Sequence, residues 1–361
     1  MKKICFFIDD ISQCGGTERV CLLIANKLCS LGYDVKILNA LNKEKPFFEC
    51  DTKISLHTLL NNPIERKLKY KKWYKIWKMR RLLLKWGVDV VIDVDTTLSN
   101  ITIPAVNGTS IKIISWDHYN YYKAKEYQPR MDALELIKQH NVPLVVLTKA
   151  DRELYIENEN VNPNTIHQIY NPLTFESNSC IEHESRKVIA VGRFTYQKGF
   201  DLLLQAWSII ESQYTDWHLE IWGDNGLNMS KQLHNLKNKL HLQNVSLNKS
   251  TKDVRSKMAD ASIFVLSSRF EGLGIVLLEA ATMSLPLVSF NCLNGPKEIV
   301  EDGKNGFLVE PENIQELANK LMILMGNKEL RQEMGINSFE TSKHFKLSSV
   351  IKQWVKLIES L

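Results

Sequence analysis

The start of the chain contains the pattern that most constrains the fold: an apolar strand, a glycine-rich turn, a helix and a second strand. The run within Lys3–Asp9 predicts a strand buried on both faces. Gly15-Gly16 follows, and Thr17 is the expected N-cap of a helix whose apolar residues recur at helical spacing. A second strand is predicted at Val35–Leu38. Such a βαβ unit requires a parallel sheet covered by helices.

The same alternation of strands and helices continues through the rest of the chain. Further strands are predicted at Val88–Val94, Ile111–Ser115, Leu144–Leu147, Lys187–Val191, His218–Trp222, Ser262–Leu266, Leu285–Phe290 and Gly306–Val309. The polar stretch 176–186 shows no periodicity and is typical of a linker. We therefore predict an α/β protein with two Rossmann-like doubly wound domains, 1–175 and 187–345, which face each other across a ligand-binding cleft.

Length and composition exclude several classes of protein. A length of 361 residues suffices for about two domains. No apolar run approaches the ~20 residues that span a bilayer. The N-terminus has too few apolar residues for a signal peptide, and the seven cysteines include no C-x-x-C pair. These features predict a cytoplasmic protein with free thiols.

The net charge of +5 is concentrated in one segment. Residues 65–86 include ten Lys and Arg and one acid, so the remainder of the chain carries a net charge of −4. Placed on a helix, the segment gathers Trp73, Ile76, Trp77 and Leu84 on one side with lysines beside them. Basic residues with interfacial tryptophans predict contact with an anionic membrane surface. The predicted membrane-contact residues are Lys71, Lys72, Trp73, Lys75, Trp77 and Lys78.

Two loops at predicted strand ends carry candidate binding residues. In Ser267–Met283 a strand leads to Glu271, then to glycines and a helix that carries Glu279. Such glycines let a ligand approach the backbone, and a helix N-terminus suits a phosphate. In the other loop, Arg193 and Lys198 can neutralise a diphosphate. Each motif alone also fits an ordinary surface loop with solvated charges.

Four segments, in this order, carry a resemblance to a known family: CGGTERV at 14–20, GRFTYQKGFDLLLQAW at 192–207, EGLGIVLLE at 271–279 and GPKEIVEDGKNGFLV at 295–309. Together they resemble the retaining glycosyltransferases of family 4, which have the GT-B fold. The GPKEIV segment and the upstream SWDHYN are similar to enzymes of bacterial capsule, O-antigen or exopolysaccharide assembly. Ser267-Ser268 stands where the family more often has Pro-Ser.

The resemblance implies a catalytic group of four residues. Arg193 and Lys198 would hold the donor diphosphate and support the leaving nucleotide, and Glu271 would bind hydroxyls of the transferred sugar. His118 would lie against the donor sugar, and Glu279 would bind the ribose. The donor-binding set that the resemblance implies is Gly15, Gly16, Arg193, Lys198, Glu271, Gly272, Leu273, Gly274 and Glu279. It also implies that 1–175 is the acceptor-side domain, that 187–345 binds the nucleotide sugar, and that 346–361 form a helix packed back on the N-terminal domain.

The expected activity follows from the resemblance together with the basic segment. We expect a hexosyltransferase at the inner face of the plasma membrane, which moves a sugar from a UDP-linked donor to a lipid-linked oligosaccharide. No cofactor or metal is expected, although Asp93-Val94-Asp95 matches the D-x-D metal motif of a different glycosyltransferase fold. The alternatives are another GT-B enzyme, such as a sugar-nucleotide epimerase, or a non-catalytic nucleic-acid- or membrane-binding protein. For the basic segment, the alternative is an ordinary solvated helix.

Overall fold

The computed structural model describes residues 1–40, 45–60, 71–177, 179–223, 227–251 and 253–361. Residues 65–70 of the basic segment lie outside the described residues, as does Asp224, for which the sequence predicts a turn. The chain divides into two compact units. Unit 1 comprises Met1–Thr174 together with Leu347–Leu361, and unit 2 comprises Phe175–Lys346.

Each unit contains one parallel sheet. The strands of unit 1 are β1 Lys3–Ile8, β2 Asp34–Asn39, β3 Ser55–Thr58, β4 Val90–Asp93, β5 Lys112–Trp116, β6 Leu144–Val146 and β7 Ile166–Gln168. Those of unit 2 are β8 Lys187–Val191, β9 His218–Trp222, β10 Val245–Asn248, β11 Ile263–Leu266, β12 Leu287–Phe290 and β13 Gly306–Val309. Within the described residues, the orders are β3-β2-β1-β4-β5-β6-β7 and β10-β9-β8-β11-β12-β13. The prediction of two doubly wound sheets is confirmed.

Helices cover both sheets. They are α1 Gly16–Ser30, α2 Lys72–Trp86, α3 Ser99–Val106, α4 Tyr121–Lys125, α5 Gln128–Gln139, α6 Lys149–Glu159, α7 Phe200–Ile210, α8 Leu227–Lys239, α9 Val254–Ala259, α10 Ile275–Thr282, α11 Ile314–Gly326, α12 Lys328–Ser342 and α13 Leu347–Ser360. Among the helices of the described residues, none combines the length and apolar character needed to cross a bilayer.

The central strands form because their apolar side chains are buried on both faces. In β1 every residue after Lys3 is buried, and Ile4 pairs with Val35 of β2 on one side and Val90 of β4 on the other. Helix α1 begins two residues earlier than predicted, because its N-cap is Gly15 rather than Thr17. The Glu18 carboxylate folds back so closely over Gly15 that a Cβ there would collide with it. The predicted role of Thr17 is therefore wrong.

The last helix belongs to unit 1. One face of α13 is buried, with Trp354 fully inside. The Trp354 ring lies 4.7 Å from the ring of Trp116, which ends β5. At the end of the helix, the Tyr33 hydroxyl donates a hydrogen bond of 2.6 Å to Glu359. These contacts fix the C-terminal segment to the first sheet and its covering helix α1.

The strand order reverses at one point in each sheet, between β1 and β4 in unit 1 and between β8 and β11 in unit 2. From such a point the connections run to opposite sides, so a crevice opens outside the carboxyl ends of the two strands. The loops that follow β1, β4, β8 and β11 are therefore the places where this fold offers a binding site.

Candidate active site

In unit 2 the two loops at the reversal point touch through their backbones. The loop after β8 leads through a 3₁₀ turn at Tyr196–Lys198 to Gly199, where φ is +59°. A Cβ on Gly199 would collide with the carbonyl oxygen of Ser267, in the loop after β11. Glycine is required here both for the left-handed conformation and for the close approach.

Hydrogen bonds then join the two loops into one rim. The Arg269 backbone N–H donates to the Gln197 carbonyl at 2.8 Å, and the Gln197 side chain donates to the Phe270 carbonyl at 3.0 Å. The Ser267 hydroxyl donates to the Lys198 carbonyl at 2.9 Å, which a proline at this position could not do. The loops after β8 and β11 therefore form one rigid edge.

Lys198 and Glu271 meet on this rim. The Lys198 Nζ lies 2.6 Å from the Glu271 Oε1, and the Ser268 hydroxyl donates to the same oxygen at 2.6 Å. The Lys198 side chain is only 12% exposed, so it is not the solvated charge of an ordinary surface loop. Its aliphatic part packs over Gly192, where a Cβ would lie 3.1 Å from Lys198 Cδ. One ammonium and one carboxylate are thus held together at a fixed position.

Arg193 lies on the same loop but is exposed. Its guanidinium is therefore free of the packing that holds Lys198, and it can turn toward an anion that approaches the rim. A planar, permanently charged fork next to a fixed ammonium is well suited to a diphosphate group. The loop after β8 therefore presents the exposed Arg193 guanidinium beside the Lys198 ammonium, which is paired with Glu271.

Arg269 is a residue of the rim that the sequence reasoning missed. Its two Nη atoms donate to the Asp201 carboxylate at 2.9 and 2.7 Å, and its guanidinium lies 4.0 Å from the centroid of the Tyr196 ring. Asp201 is in the first turn of α7, so this bidentate pair ties the helix to the glutamate loop. In the sequence, Arg269 is visible as a basic residue two positions before Glu271. The sequence does not indicate that Asp201 is its partner.

A third loop closes the rim on the side of Gly272. A Cβ on Gly295, in the loop after β12, would lie 2.5 Å from the Gly272 carbonyl oxygen and 2.9 Å from that of Leu273. Gly274 then adopts φ +84° and caps α10, in which Glu279 is buried. The backbone from Gly272 to the first turn of α10 is thus confined next to the Lys198–Glu271 pair.

His118, the predicted histidine against the sugar, belongs to unit 1. Its ring lies against Trp116 with centroids 4.3 Å apart and the ring planes tilted by 42°, and its Nε2 is buried without a hydrogen-bond partner among the described residues. Burial lowers the pKa of His118 to about 3. The imidazole is therefore neutral near pH 7, where it can exchange a hydrogen bond with a ligand but carries no charge. The predicted Gly15 and Gly16 also belong to unit 1, at the start of α1.

The Asp93-Val94-Asp95 motif has local partners. Asp93 is buried and accepts hydrogen bonds from Ser99 at 2.8 Å and from Thr102 at 2.6 Å. Asp95 accepts from the Thr97 N–H and forms an ion pair with Arg130. Within the part of the chain that the structure describes, no group of three or more His, Cys, Asp and Glu side chains is placed to hold a metal ion.

The described part of the basic segment is helix α2, with Lys71 as its N-cap. Trp73 is 64% exposed and Trp77 51% exposed, whereas Met79 and Leu83 are buried. Ile76 packs against the core of unit 1, so the prediction that it shares the tryptophan face is wrong. The solvent-facing side of α2 therefore carries tryptophans, basic side chains and Leu84, which is 51% exposed.

Sequence comparisons agree with this geometry. Residues 174–341 match the family described as "Glycosyl transferases group 1", and residues 14–176 match "Glycosyltransferase Family 4". An uncharacterised glycosyltransferase of Haemophilus influenzae is 35% identical over 98% of this chain and 99% of its own length. The amylovoran biosynthesis glycosyltransferase AmsD of Erwinia amylovora is 25% identical, over 98% and 99% respectively.

Solved structures share the fold at lower identity. TarM of S. aureus, in a complex with UDP, superposes with a TM-score of 0.82 at 15% identity, covering 99% of this chain and 100% of that one. Anabaena HepE, in complex with UDP and glucose, gives 0.82 at 19% identity and covers all of both chains. With two doubly wound units and matches along almost its whole length, this chain belongs to the family 4-type glycosyltransferases of the GT-B fold.

Proposed function

We propose that this glycosyltransferase moves a sugar, with retention of configuration, from a UDP-linked donor to a lipid-linked oligosaccharide in the assembly of a surface polysaccharide. The observation that carries the proposal is the Lys198–Glu271 pair, 2.6 Å apart beside the exposed Arg193 at the reversal point of unit 2. A nucleotide sugar needs cations for its diphosphate and a carboxylate for its hydroxyls, and this rim offers both.

The reaction breaks the bond between the anomeric carbon and a phosphate oxygen. Negative charge develops on the leaving diphosphate, and Arg193 and Lys198 would stabilise it. Glu271 would accept hydrogen bonds from the sugar hydroxyls. The acceptor oxygen would attack the face from which the diphosphate leaves, so the configuration is kept and no protein nucleophile is needed. Since the two cations supply the positive charge, we propose that no metal ion is required, and EDTA should leave the rate unchanged.

The remaining predicted donor contacts complete this arrangement. Gly272, Leu273 and Gly274 would offer backbone N–H groups to phosphate or sugar, as expected for a glycine-rich entry into a helix. Glu279 would bind the ribose hydroxyls. His118, neutral because of its low pKa, would donate or accept a hydrogen bond at the donor sugar rather than transfer a charge. Gly15 and Gly16 would line the side of the phosphates or the acceptor.

The lipid-linked acceptor is supported by one named relative. A Campylobacter jejuni α-1,4-N-acetyl-D-galactosaminyltransferase, whose name gives a diNAcBac-PP-undecaprenol acceptor, is 25% identical over 99% of this chain and 98% of its own length. Such an acceptor lies in a membrane, and helix α2 presents exposed tryptophans among lysines. We therefore place the enzyme at the inner face of the plasma membrane, attached through α2.

Donor-dependent release of nucleoside diphosphate tests the activity. With a panel of nucleotide sugars, we expect release from a UDP-sugar to rise when an extract of lipid-linked oligosaccharides is added, together with radiolabel transfer from the sugar to the lipid. Release without any effect of the lipid would contradict the acceptor, and interconversion of sugars with the nucleotide still attached would indicate an epimerase. Failure of every nucleotide sugar to react or to raise the melting temperature would refute the proposed function.

Vesicle flotation tests the membrane contact. Each Lys or Arg near an anionic leaflet contributes ~1 kcal/mol, and the attraction is screened by salt. Binding to anionic vesicles should therefore be strong, weaken at high salt, and largely disappear when Lys71, Lys72, Lys75 and Lys78 are replaced by Gln. The matched control replaces four exposed lysines of unit 2, Lys231, Lys239, Lys304 and Lys328, and should bind like wild type. Equal binding of both variants would show that α2 is an ordinary solvated helix.

A further inference from the structure

Three adjacent strands of unit 1 bring an aromatic ring and two carboxylates to the carboxyl-end edge of their sheet. Asp9 follows β1, Asp95 follows β4, and Tyr119 lies beyond the end of β5. In the sheet these strands are neighbours in the order β1-β4-β5. This edge includes the reversal point of unit 1, between β1 and β4, where a doubly wound sheet can bind a ligand. Of these residues, the proposed function uses none.

Tyr119 is held through both its backbone and its ring. Its N–H donates to the Asp117 Oδ1 at 3.0 Å, and the Arg130 guanidinium lies 3.9 Å from the centroid of its ring. The side chain is nevertheless 49% exposed. One face of the ring therefore rests on a cation, while much of the ring remains open to a ligand.

Arg130, beneath the ring, is itself immobile. It is 6% exposed, and its Nη1 donates to Thr96 at 2.8 Å and to Asp117 at 3.0 Å, while its Nη2 pairs with Asp95. The second Asp117 oxygen accepts from the Tyr155 hydroxyl at 2.7 Å. Because this network fixes the Tyr119 ring, little side-chain entropy is lost when a ligand stacks on it.

Asp9 adds a hydrogen-bond acceptor to the same edge of the sheet, after β1, which is two strands from β5. Its side chain is exposed at the carboxyl end of β1. Partial burial and the charges of Asp95 and Asp10 raise the pKa of Asp9, while Lys75 and Arg130 lower it. An exposed aromatic ring held on a buried cation, with a carboxylate on the same edge of the sheet, suits a neutral ligand that has both an apolar face and hydroxyls.

We propose that Tyr119 is the stacking platform for a pyranose ring of the acceptor, and that Asp9 accepts hydrogen bonds from the hydroxyls of that ring. The C–H groups on one face of a pyranose pack on an aromatic face, whereas its hydroxyls need acceptors. A phosphate would gain nothing from either group. The inference rests on the proposed function, because it names the part of the acceptor that unit 1 recognises.

Transfer kinetics of Tyr119→Ala and Tyr119→Phe test the platform. Tyr119→Ala should raise the KM for the acceptor about tenfold, the loss expected for one aromatic contact. The KM for the donor and the release of nucleoside diphosphate without acceptor should not change. Tyr119→Phe should behave like wild type because it keeps the ring. Asp9→Asn should raise the acceptor KM by a smaller factor. The matched control is Tyr127→Ala, a tyrosine of unit 1 that is 54% exposed, and it should change nothing.

Sugar binding without any donor keeps this test independent of the proposed function. Saturation-transfer NMR with octyl β-D-glucopyranoside, octyl α-D-galactopyranoside and octyl α-N-acetylgalactosaminide should show ring-proton signals with wild type and lose them with Tyr119→Ala. Ring-proton signals that Tyr119→Ala retains, or their absence from wild type with all three probes, would overturn the platform. If wild type releases no nucleoside diphosphate from any donor, the proposed function fails, and the octyl glycosides still decide the role of Tyr119.

Discussion

The two units arrange their strands in the same way but carry different chemistry at the reversal point. In unit 2, an exposed Arg193 lies beside the paired Lys198 and Glu271. In unit 1, Arg130 is matched by two carboxylates, and the exposed group is the Tyr119 ring. The strand order sets where each unit can bind a ligand, and the loop residues set which ligand. Unit 2 suits an anion, and unit 1 suits a neutral ring with hydroxyls.

The largest expected effect is the loss of either cation of unit 2. Arg193→Ala and Lys198→Ala should each lower kcat by ~10²-fold, the scale of removing one electrostatic stabiliser of the transition state. Their effects on stability should differ. Arg193 is exposed, so its loss should leave the free energy of unfolding almost unchanged. Lys198→Ala leaves the Glu271 carboxylate buried without its cation, which should cost about 3 kcal/mol. Steady-state kinetics and urea unfolding measure the two effects.

A double variant separates catalysis from stability at Lys198. Lys198→Met combined with Glu271→Gln removes both charges, so the stability should return toward wild type while transfer stays lost. Near wild-type turnover in both single variants would remove the basis for assigning the diphosphate to this rim. Equal destabilisation by Arg193→Ala and Lys198→Ala would contradict the difference in their burial.

The next largest effect is on donor binding and transfer, and it distinguishes Glu271 from Glu279 in unit 2. Glu271→Gln should depress transfer but leave the affinity for free UDP nearly intact, because Glu271 is proposed to contact the sugar. Glu279→Gln should weaken UDP binding by ~1–3 kcal/mol, the range for a hydrogen bond to a charged group. Calorimetry with UDP decides between them. Identical behaviour of the two variants, or the reverse pattern, would show that the roles are wrongly assigned.

The sequence predicts the strands that are buried on both faces and the apolar edge strand β13, but misses the three polar edge strands. Strands such as β1 and β11 are continuous apolar runs because helices cover both their faces. The missed strands β3, β7 and β10 lie at the edges of the described sheets and read SLHT, IHQ and VSLN. An edge strand is partly open to solvent, so its polar residues give no strand signal without knowledge of the neighbouring strand.

The candidate site, like the sheets, is only partly predictable from the sequence. The order of strand, loop and helix along the chain suffices to put Arg193, Lys198 and Glu271 on strand-end loops. It does not pair them, since Lys198 and Glu271 are 73 residues apart in the chain. The same holds for Arg130 and Asp95, separated by 35 residues. Pairings of this kind depend on how adjacent strands align, which single-chain patterns do not specify.

The smallest expected effect is on the pH dependence of stability. It follows from a comparison of two buried carboxyls, one in each unit. Glu271 faces the Lys198 ammonium, whereas Asp93 accepts hydrogen bonds from the hydroxyls of Ser99 and Thr102. Burial raises the pKa of Asp93 to about 7 from an ordinary value of 3.8. The protonated carboxyl therefore stabilises the folded state fully below about pH 4, and this contribution is lost as the pH rises through about 7.

Asp93→Asn tests this difference because asparagine stays neutral at every pH. In wild type, the free energy of unfolding should fall by at least ~1 kcal/mol between pH 5 and pH 8, given ~1.4 kcal/mol per pKa unit. Asp93→Asn should flatten that slope, whereas Asp132→Asn, a control at an exposed aspartate of α5, should keep it. Urea unfolding at four pH values across this range measures the slope. If Asp93→Asn and wild type lose stability equally on going to pH 8, Asp93 is ionised and stabilised at neutral pH. Unit 1 would then hold a buried charge at the end of β4 as effectively as unit 2 holds Glu271.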